Sequence, residues 1–216
     1  MLLIRNLKLG LSTALCALVL AACGGGGDDA PATPAAPSGP VVFPVAEAPA
    51  KLSAWNAVRS DGSTMSLNAA VVPYDLSSAL FTDYALKMRA VYVPAGKQIT
   101  YTTTGTLDFP VGTAIYKTFY YPKATGTDPK LIPVGKSTTH PQGSTIDLTK
   151  HRLIETRIIV REASGKWTGT TYVWDADQKD ASLNISGKYV EMELISATGA
   201  PEPFTYVVPN QQTCQK

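Results

Sequence analysis

The sequence predicts an all-β protein, with a single antiparallel β-sandwich-like domain that follows a signal peptide and a disordered linker. Three observations favour this fold class. Apolar and polar residues alternate along several runs, β-branched and aromatic residues are concentrated in those runs, and turn residues separate the runs at short intervals. No long stretch of the chain has the period of an amphipathic helix.

The first 22 residues have the parts of a bacterial export signal. Arg5 and Lys8 supply positive charge, and residues 9–20 form an apolar stretch. That stretch is shorter than the roughly 20 apolar residues that a membrane-spanning helix needs. The signal ends in Leu-Ala-Ala-Cys, which resembles the lipobox of bacterial lipoproteins. We therefore expect Cys23 to carry lipid and to begin the mature chain; the alternative is an ordinary secretory signal with an incidental cysteine.

Lipidation of Cys23 makes the membrane the first expected partner, because acyl chains contribute roughly 0.8 kcal/mol per buried methylene. Gly24 follows Cys23, and by similarity to other lipoproteins this favours the outer membrane, with the protein facing the periplasm. Residues 23–50 then form the lipidated cysteine and a tether rich in Gly, Pro and Ala, a composition typical of disordered linkers. Residues 41–45 are the one short piece for which docking as an edge strand is an alternative.

The charge of the chain argues against a nucleic-acid partner. The formal net charge is +2, and Arg5 and Lys8 of the signal account for both charges. The mature chain is therefore close to neutral and has no long basic run, whereas nucleic-acid binding normally needs a basic patch.

Residues 51–216 have the length of one domain and the alternation of half-buried strands. The alternation predicts one shared face in each of three strands. The three faces are Leu86, Met88, Ala90 and Tyr92; Ile154, Thr156, Ile158 and Val160; and Val190, Met192 and Leu194. Residues 163–166 predict a hairpin between two of the runs.

Catalytic chemistry has little support in the sequence. His140 and His151 lie in or beside loops and lack the spacing of metal ligands, so we interpret them as turn histidines. The chain contains no G-x-S-x-G elbow, no G-x-G-x-x-G and no Walker A loop. We predict no catalytic residue, no metal site and no enzyme activity.

Two groups of acidic residues are weaker candidates for function. Asp175, Asp177 and Asp180 are close enough to suggest calcium ligands, but the EF-hand pattern is absent and a solvated turn is favoured. Asp75 and Asp83 suggest a glycosidase pair, yet no pattern in the sequence joins them.

Aromatic residues offer another candidate surface, either a carbohydrate-stacking platform or the sandwich core, and we favour the core. They are Tyr116, Phe119, Tyr120, Tyr121, Tyr172 and Trp174.

The third cysteine, Cys214, lies near the end of the chain. Cys16 leaves with the signal and Cys23 carries lipid, so Cys214 has no disulfide partner in the mature chain. A c-type haem is attached through C-x-x-C-H, and the sequence from Cys214 to Lys216 occupies the first three positions of that motif.

Several stretches together resemble bacterial di-haem c-type cytochromes that have a β-rich N-terminal module. In chain order they are VVPYDLSSALFTDYALKMRAVYVPAG, LDFPVGTAIYKTFYYP, RLIETRIIVREASGKW, YVWDADQKDA and YVVPNQQTC. The resemblance implies that Cys214 is the first haem-linking cysteine, that the full-length parent transfers electrons and binds a redox partner, and that this chain is truncated within the motif. We expect no haem here, because the second cysteine and the histidine are missing. The alternative is a free-standing β-sandwich lipoprotein that binds a glycan or a protein.

Overall fold

The computed structural model describes residues 39–78, 80–139 and 143–214, so the predicted signal peptide, Cys23 and His140 lie outside the described residues. The described part contains two 3-10 helices, Val45–Glu47 and Leu52–Trp55, and one helical turn, α1 (Gln211–Cys214). Its strands are β1 (Val58–Ser60), β2 (Thr64–Leu67), β3 (Val71–Tyr74), β4 (Leu86–Tyr92), β5 (Thr100–Tyr101), β6 (Leu107–Asp108), β7 (Ala114–Pro122), β8 (Ile132–Gly135), β9 (Thr145–Asp147), β10 (His151–Arg161), β11 (Trp167–Trp174), β12 (Ala181–Asn184), β13 (Lys188–Ile195) and β14 (Glu202–Val208).

A six-stranded antiparallel sheet forms the centre of the domain, with the strand order β12-β11-β10-β7-β4-β3. Its long strands are the runs in which β-branched and aromatic residues are concentrated. The hairpin predicted at residues 163–166 joins β10 to β11, and Gly165 adopts a φ of 81° in the turn, a conformation that costs glycine little.

The first face of this sheet, defined by Tyr116, Thr118 and Tyr120 of β7, packs against the antiparallel sheet β1-β2-β9 and the Leu52–Trp55 helix. Trp55 is fully buried in this cluster and donates a 2.7 Å hydrogen bond from Nε1 to the Tyr172 hydroxyl. The predicted face of Leu86, Met88, Ala90 and Tyr92 also packs into this cluster.

The second face, defined by Lys117, Phe119 and Tyr121, packs against the sheet β14-β13-β8. In this small sheet β13 pairs antiparallel with β14 and parallel with β8. The predicted all-β sandwich-like fold is therefore confirmed, and it is built as a central sheet with a smaller sheet on each side.

A β-bulge in β10 corrects one sequence prediction. Leu153 pairs with Tyr120 while Glu155 pairs with Phe119, so Ile154 is the extra residue. The prediction that Ile154 shares a face with Thr156 and Ile158 was wrong, because a bulge reverses the alternation. Ile154 packs in the second cluster instead.

Residues 39–50, the last part of the predicted tether, pack on the domain. The Val41 N–H donates a 2.8 Å hydrogen bond to the Trp55 carbonyl oxygen, and the Phe43 ring lies edge-on to the Trp55 ring at 5.3 Å. Val45 is buried at the start of a 3-10 helix. Residues 41–44 form no strand, so this piece docks through a backbone hydrogen bond and side-chain packing and not as an edge strand.

Candidate functional site

The helical turn that ends at Cys214 is held against the domain by a backbone hydrogen bond. After β14 the chain forms α1, and the Asn210 side-chain oxygen accepts a 2.9 Å hydrogen bond from the Thr213 N–H, as in a helix N-cap. The Gln211 N–H donates a 3.0 Å bond to the Ile185 carbonyl oxygen. These two bonds hold the start of α1, the helical turn that ends at Cys214, beside the turn between β12 and β13.

That turn approaches the C-terminal segment closely because it contains Gly187. This glycine has a φ of 83°, and a Cβ atom on it would lie 3.0 Å from the Val208 carbonyl oxygen and 3.1 Å from the Asn210 nitrogen. A cavity of about 490 Å³ lies beside the contact. Its lining is formed by Ile185, Ser186, Asn210, Gln211 and Gln212.

The sequence supplies one cysteine of the haem-attachment motif. No group of three or more His, Cys, Asp or Glu side chains in the described part of the chain could hold a metal ion. His151 lies at the start of β10, where its Nδ1 is 3.0 Å from the Asp147 carbonyl oxygen and its ring is edge-on to Tyr120 at 5.4 Å. These contacts fit the turn histidine that the sequence predicts.

The acidic turn at residues 175–180 is joined by hydrogen bonds to Lys51 and Ser53. The Asp175 carboxylate accepts hydrogen bonds from Lys51 Nζ at 2.7 Å and from the Ser182 hydroxyl at 2.9 Å, and the Lys51 bond is the main cause that lowers the pKa of Asp175. The Asp180 carboxylate accepts bonds from the Ser53 N–H and hydroxyl at 3.1 and 2.6 Å. This geometry fits the solvated, capped turn that the sequence favours over a calcium site.

Gln178, in the same turn, is a structural residue that the sequence did not single out. It is buried with a φ of 60°, and its amide makes three hydrogen bonds. Oε1 accepts the Leu153 N–H at 2.6 Å, while Nε2 donates to the carbonyl oxygens of Leu153 at 3.2 Å and Asp175 at 3.0 Å. We call these three bonds the Gln178 clamp. Asp177 has a local role, because its carboxylate accepts the Lys179 N–H at 3.2 Å.

Asp75 and Asp83 make different contacts. The Asp75 carboxylate lies 3.3 Å from an Arg89 guanidinium nitrogen. Asp83 has a φ of 41°, and its backbone carbonyl accepts a 2.9 Å hydrogen bond from the Tyr121 hydroxyl. The two residues thus hold different parts of the domain, because Asp75 pairs with Arg89 through its carboxylate and Asp83 binds the Tyr121 hydroxyl through its backbone carbonyl.

The six aromatic residues considered as a platform are all buried, as the core interpretation predicts. Tyr116, Tyr120, Tyr172 and Trp174 belong to the first cluster. Phe119 and Tyr121 belong to the second. Burial raises the pKa of Tyr120 to about 12, so this tyrosine stays neutral at physiological pH.

A buried ion pair on the second face is the other arrangement that the sequence did not reveal. Glu155 is fully buried and accepts hydrogen bonds from Arg157 Nε at 3.0 Å and Nη2 at 2.6 Å. The Tyr206 hydroxyl donates a third, at 2.6 Å, to the same carboxylate. Burial, followed by the charge of Glu155, raises the pKa of Tyr206.

Arg157 belongs to a line of polar residues that crosses the whole central sheet. The strand register places these residues opposite one another on the second face, and we call them the polar row. Its members are Tyr74, Arg89, Lys117, Arg157, Thr171 and Asn184.

Within the ranges that the structure describes, no helix has the length and apolar character needed to cross a membrane. Comparison of the chain with protein-family models, with curated proteins and with solved structures found no match.

Proposed function

We propose that this chain is the anchored, non-haem module of an envelope lipoprotein related to di-haem c-type cytochromes, and that it carries no haem itself. The observation that carries the proposal is the fixed C-terminal segment. The Asn210 cap and the bond from Gln211 to Ile185 hold α1 on the domain, and α1 ends at Cys214, the residue that the resemblance makes the first haem-linking cysteine.

A fixed attachment point is useful for electron transfer, because the position of the haem relative to a redox partner sets the rate. A motif on a free linker would leave the haem mobile. In the proposed parent protein, the β module positions the haem-bearing part, and it either docks the redox partner or packs over the haem and shields it from solvent. The proposed lipid on Cys23 would hold this assembly at the outer membrane, facing the periplasm.

Covalent haem tests the proposal directly. The chain is expressed in a bacterium with c-type cytochrome maturation, once as given and once extended by the genomic codons that follow Lys216. We expect a haem-stained band on a denaturing gel for the extended form and none for the chain as given. A stained band at the mass of the chain as given, or following codons that encode no Cys-His in any frame, would contradict the proposal.

The lipid anchor has a separate test. Replacing Cys23 with serine should release the protein from the membrane fraction and remove the mass of the acyl groups. Cys16→Ser is the matched control, because it changes a cysteine that leaves with the proposed signal, and it should leave both properties unchanged. Membrane association that survives Cys23→Ser would contradict the lipoprotein assignment.

A free-standing binding lipoprotein is the second candidate, and an exposed apolar loop favours it. Leu80 and Phe81 are 67% and 69% exposed beside a cavity of about 190 Å³. The loop is held in place by a 2.7 Å hydrogen bond from Lys87 Nζ to the Leu80 carbonyl oxygen and by an edge-on contact of Phe81 with Tyr84. Exposed apolar side chains of this kind fit a protein partner. Phe81→Ser should then abolish co-purification of an envelope protein while haem attachment to the extended form is unchanged.

A further inference from the structure

The polar row places three basic side chains directly opposite one another. Arg89 of β4 pairs with Lys117 of β7, and Lys117 pairs with Arg157 of β10. Neighbouring strands lie about 4.8 Å apart, so the three Cα positions span roughly 10 Å. Like charges at directly opposed positions destabilise a sheet. The Asp75 carboxylate pairs with Arg89 and the Glu155 carboxylate pairs with Arg157, so these three cations face two anions and the group keeps a net positive charge.

The arginine at one end of this trio has an unused donor. The Arg89 side chain is 4% exposed, and its Nη2 atom has no hydrogen-bond partner among the described residues. A buried donor of a charged group is costly when it is left unsatisfied. A bound anion would supply the missing acceptor.

The other two cations are held in place by their surroundings. The Arg157 guanidinium is fixed by Glu155 and lies 4.5 Å from the centre of the Phe119 ring. Lys117 Nζ lies 5.0 Å from the centre of the same ring. Cations that are positioned in advance lose little conformational entropy when a ligand binds.

An apolar row runs beside the polar row on the second face. Val72, Val91, Ile115 and Ile159 occupy successive strands two residues along from Tyr74, Arg89, Lys117 and Arg157. They are partly or largely exposed, and they belong to neither hydrophobic cluster. Two residues along a strand correspond to about 7 Å, which is within the reach of a single small ligand.

We propose that Arg89, Lys117 and Arg157 bind the phosphate or carboxylate group of an amphiphilic ligand whose apolar part lies along Val91, Ile115 and Ile159. Arg89 and Arg157 donate hydrogen bonds in a planar geometry that matches oxyanions, and Lys117 adds a positive charge between them. The apolar part of the ligand covers the apolar row, whereas free phosphate would leave that row in contact with water. This site does not depend on haem or on the proposed parent protein.

Octyl phosphate is the probe, and its binding to the purified full chain is measured by isothermal titration calorimetry. Inorganic phosphate and octanol test each half of the ligand separately. Lys117→Gln removes the central charge, Lys117→Arg keeps it, and Lys166→Gln is the matched control in the exposed hairpin turn. Circular dichroism and thermal unfolding establish that each variant is folded.

We expect octyl phosphate to bind more tightly than either partial probe, and Lys117→Gln to weaken it by about tenfold or more. Lys117→Arg should retain the affinity and Lys166→Gln should leave it unchanged. Equal binding of octyl phosphate by the Lys117→Gln variant, or equal binding of octanol by the unmodified chain, would overturn the site. Equal binding of inorganic phosphate would overturn the role of the apolar row. Sedimentation of the Cys23→Ser chain, which lacks the proposed lipid, with phosphatidylglycerol vesicles then separates a lipid headgroup, which carries the protein down, from a free amphiphile, which does not.

Discussion

Replacing Gln178 with alanine should lower the free energy of unfolding by about 3 kcal/mol. The Gln178 clamp satisfies both the N–H and the carbonyl of Leu153, a residue that is 2% exposed. A buried backbone group that loses its partner costs roughly 1–3 kcal/mol, and two such groups are affected here. The φ of 60° is equally unfavourable for glutamine and alanine, so the backbone contributes little to the difference.

Urea denaturation gives the measurement, since a shift of the midpoint at constant m reports a change in stability. Gln98→Ala is the matched control, because Gln98 is exposed in a loop, and it should change stability by no more than about 0.5 kcal/mol. A loss below about 1 kcal/mol for Gln178→Ala would show that the Leu153 backbone groups find other partners, and the reasoning would fail.

Gln178→Glu provides a second, pH-dependent test of the clamp. An ionised carboxylate can accept the Leu153 N–H but cannot donate to the carbonyl oxygens of Leu153 and Asp175. Because burial favours the neutral form, the pKa in the folded state should lie above the unfolded value of about 4.3. The variant should therefore be most stable below that unfolded value and lose stability as the pH rises through the folded pKa. A stability independent of pH relative to the unmodified chain would contradict this account.

Three further predictions concern the Glu155–Arg157 ion pair, the Asp147 carboxylate, and the contact between Gly187 and the C-terminal segment. Arg157→Met leaves the fully buried Glu155 carboxylate without its cation, and it should lower the free energy of unfolding by about 3–5 kcal/mol in urea; a loss under about 1 kcal/mol would contradict the pairing. NMR titration should give Asp147 a pKa of about 2, because its carboxylate accepts hydrogen bonds first from the Thr149 hydroxyl and then from a neighbouring lysine. Its contribution to stability is then complete above the ordinary value of 3.8 and is lost as the pH falls through about 2, and Thr149→Val should return the pKa towards 3.8. Gly187→Ala should lower the melting temperature and speed proteolysis near the C-terminus. The new Cβ atom would lie 3.0 Å from the Val208 carbonyl oxygen, at a φ of 83° that alanine rarely adopts. Unchanged proteolysis would show that the contact at Gly187 does not hold the C-terminal segment.

The sequence predicted the features that depend on local pattern. Period two identified β4 correctly, and aromatic density correctly indicated a core at Tyr116 and Tyr172. The sequence could not predict the bulge at Ile154, because an extra residue is recognised only from its pairing with a partner strand. The polar row was hidden for the same reason: Arg89, Lys117 and Arg157 are far apart in the chain, and only the strand register brings them together.

The bulge and the polar row are physically connected. In a regular strand, a residue pair such as Leu153 and Glu155 would share one face of the sheet. The bulge instead keeps Leu153 in the first cluster and turns Glu155, and with it Arg157, to the second face. Pairing of β10 with β11 stops at Glu155, and beyond that point the Gln178 amide takes the place of the missing strand for Leu153. The Gln178 side chain thus satisfies the backbone at the point where β10 changes face, and Arg157 of the proposed anion site lies just beyond that point.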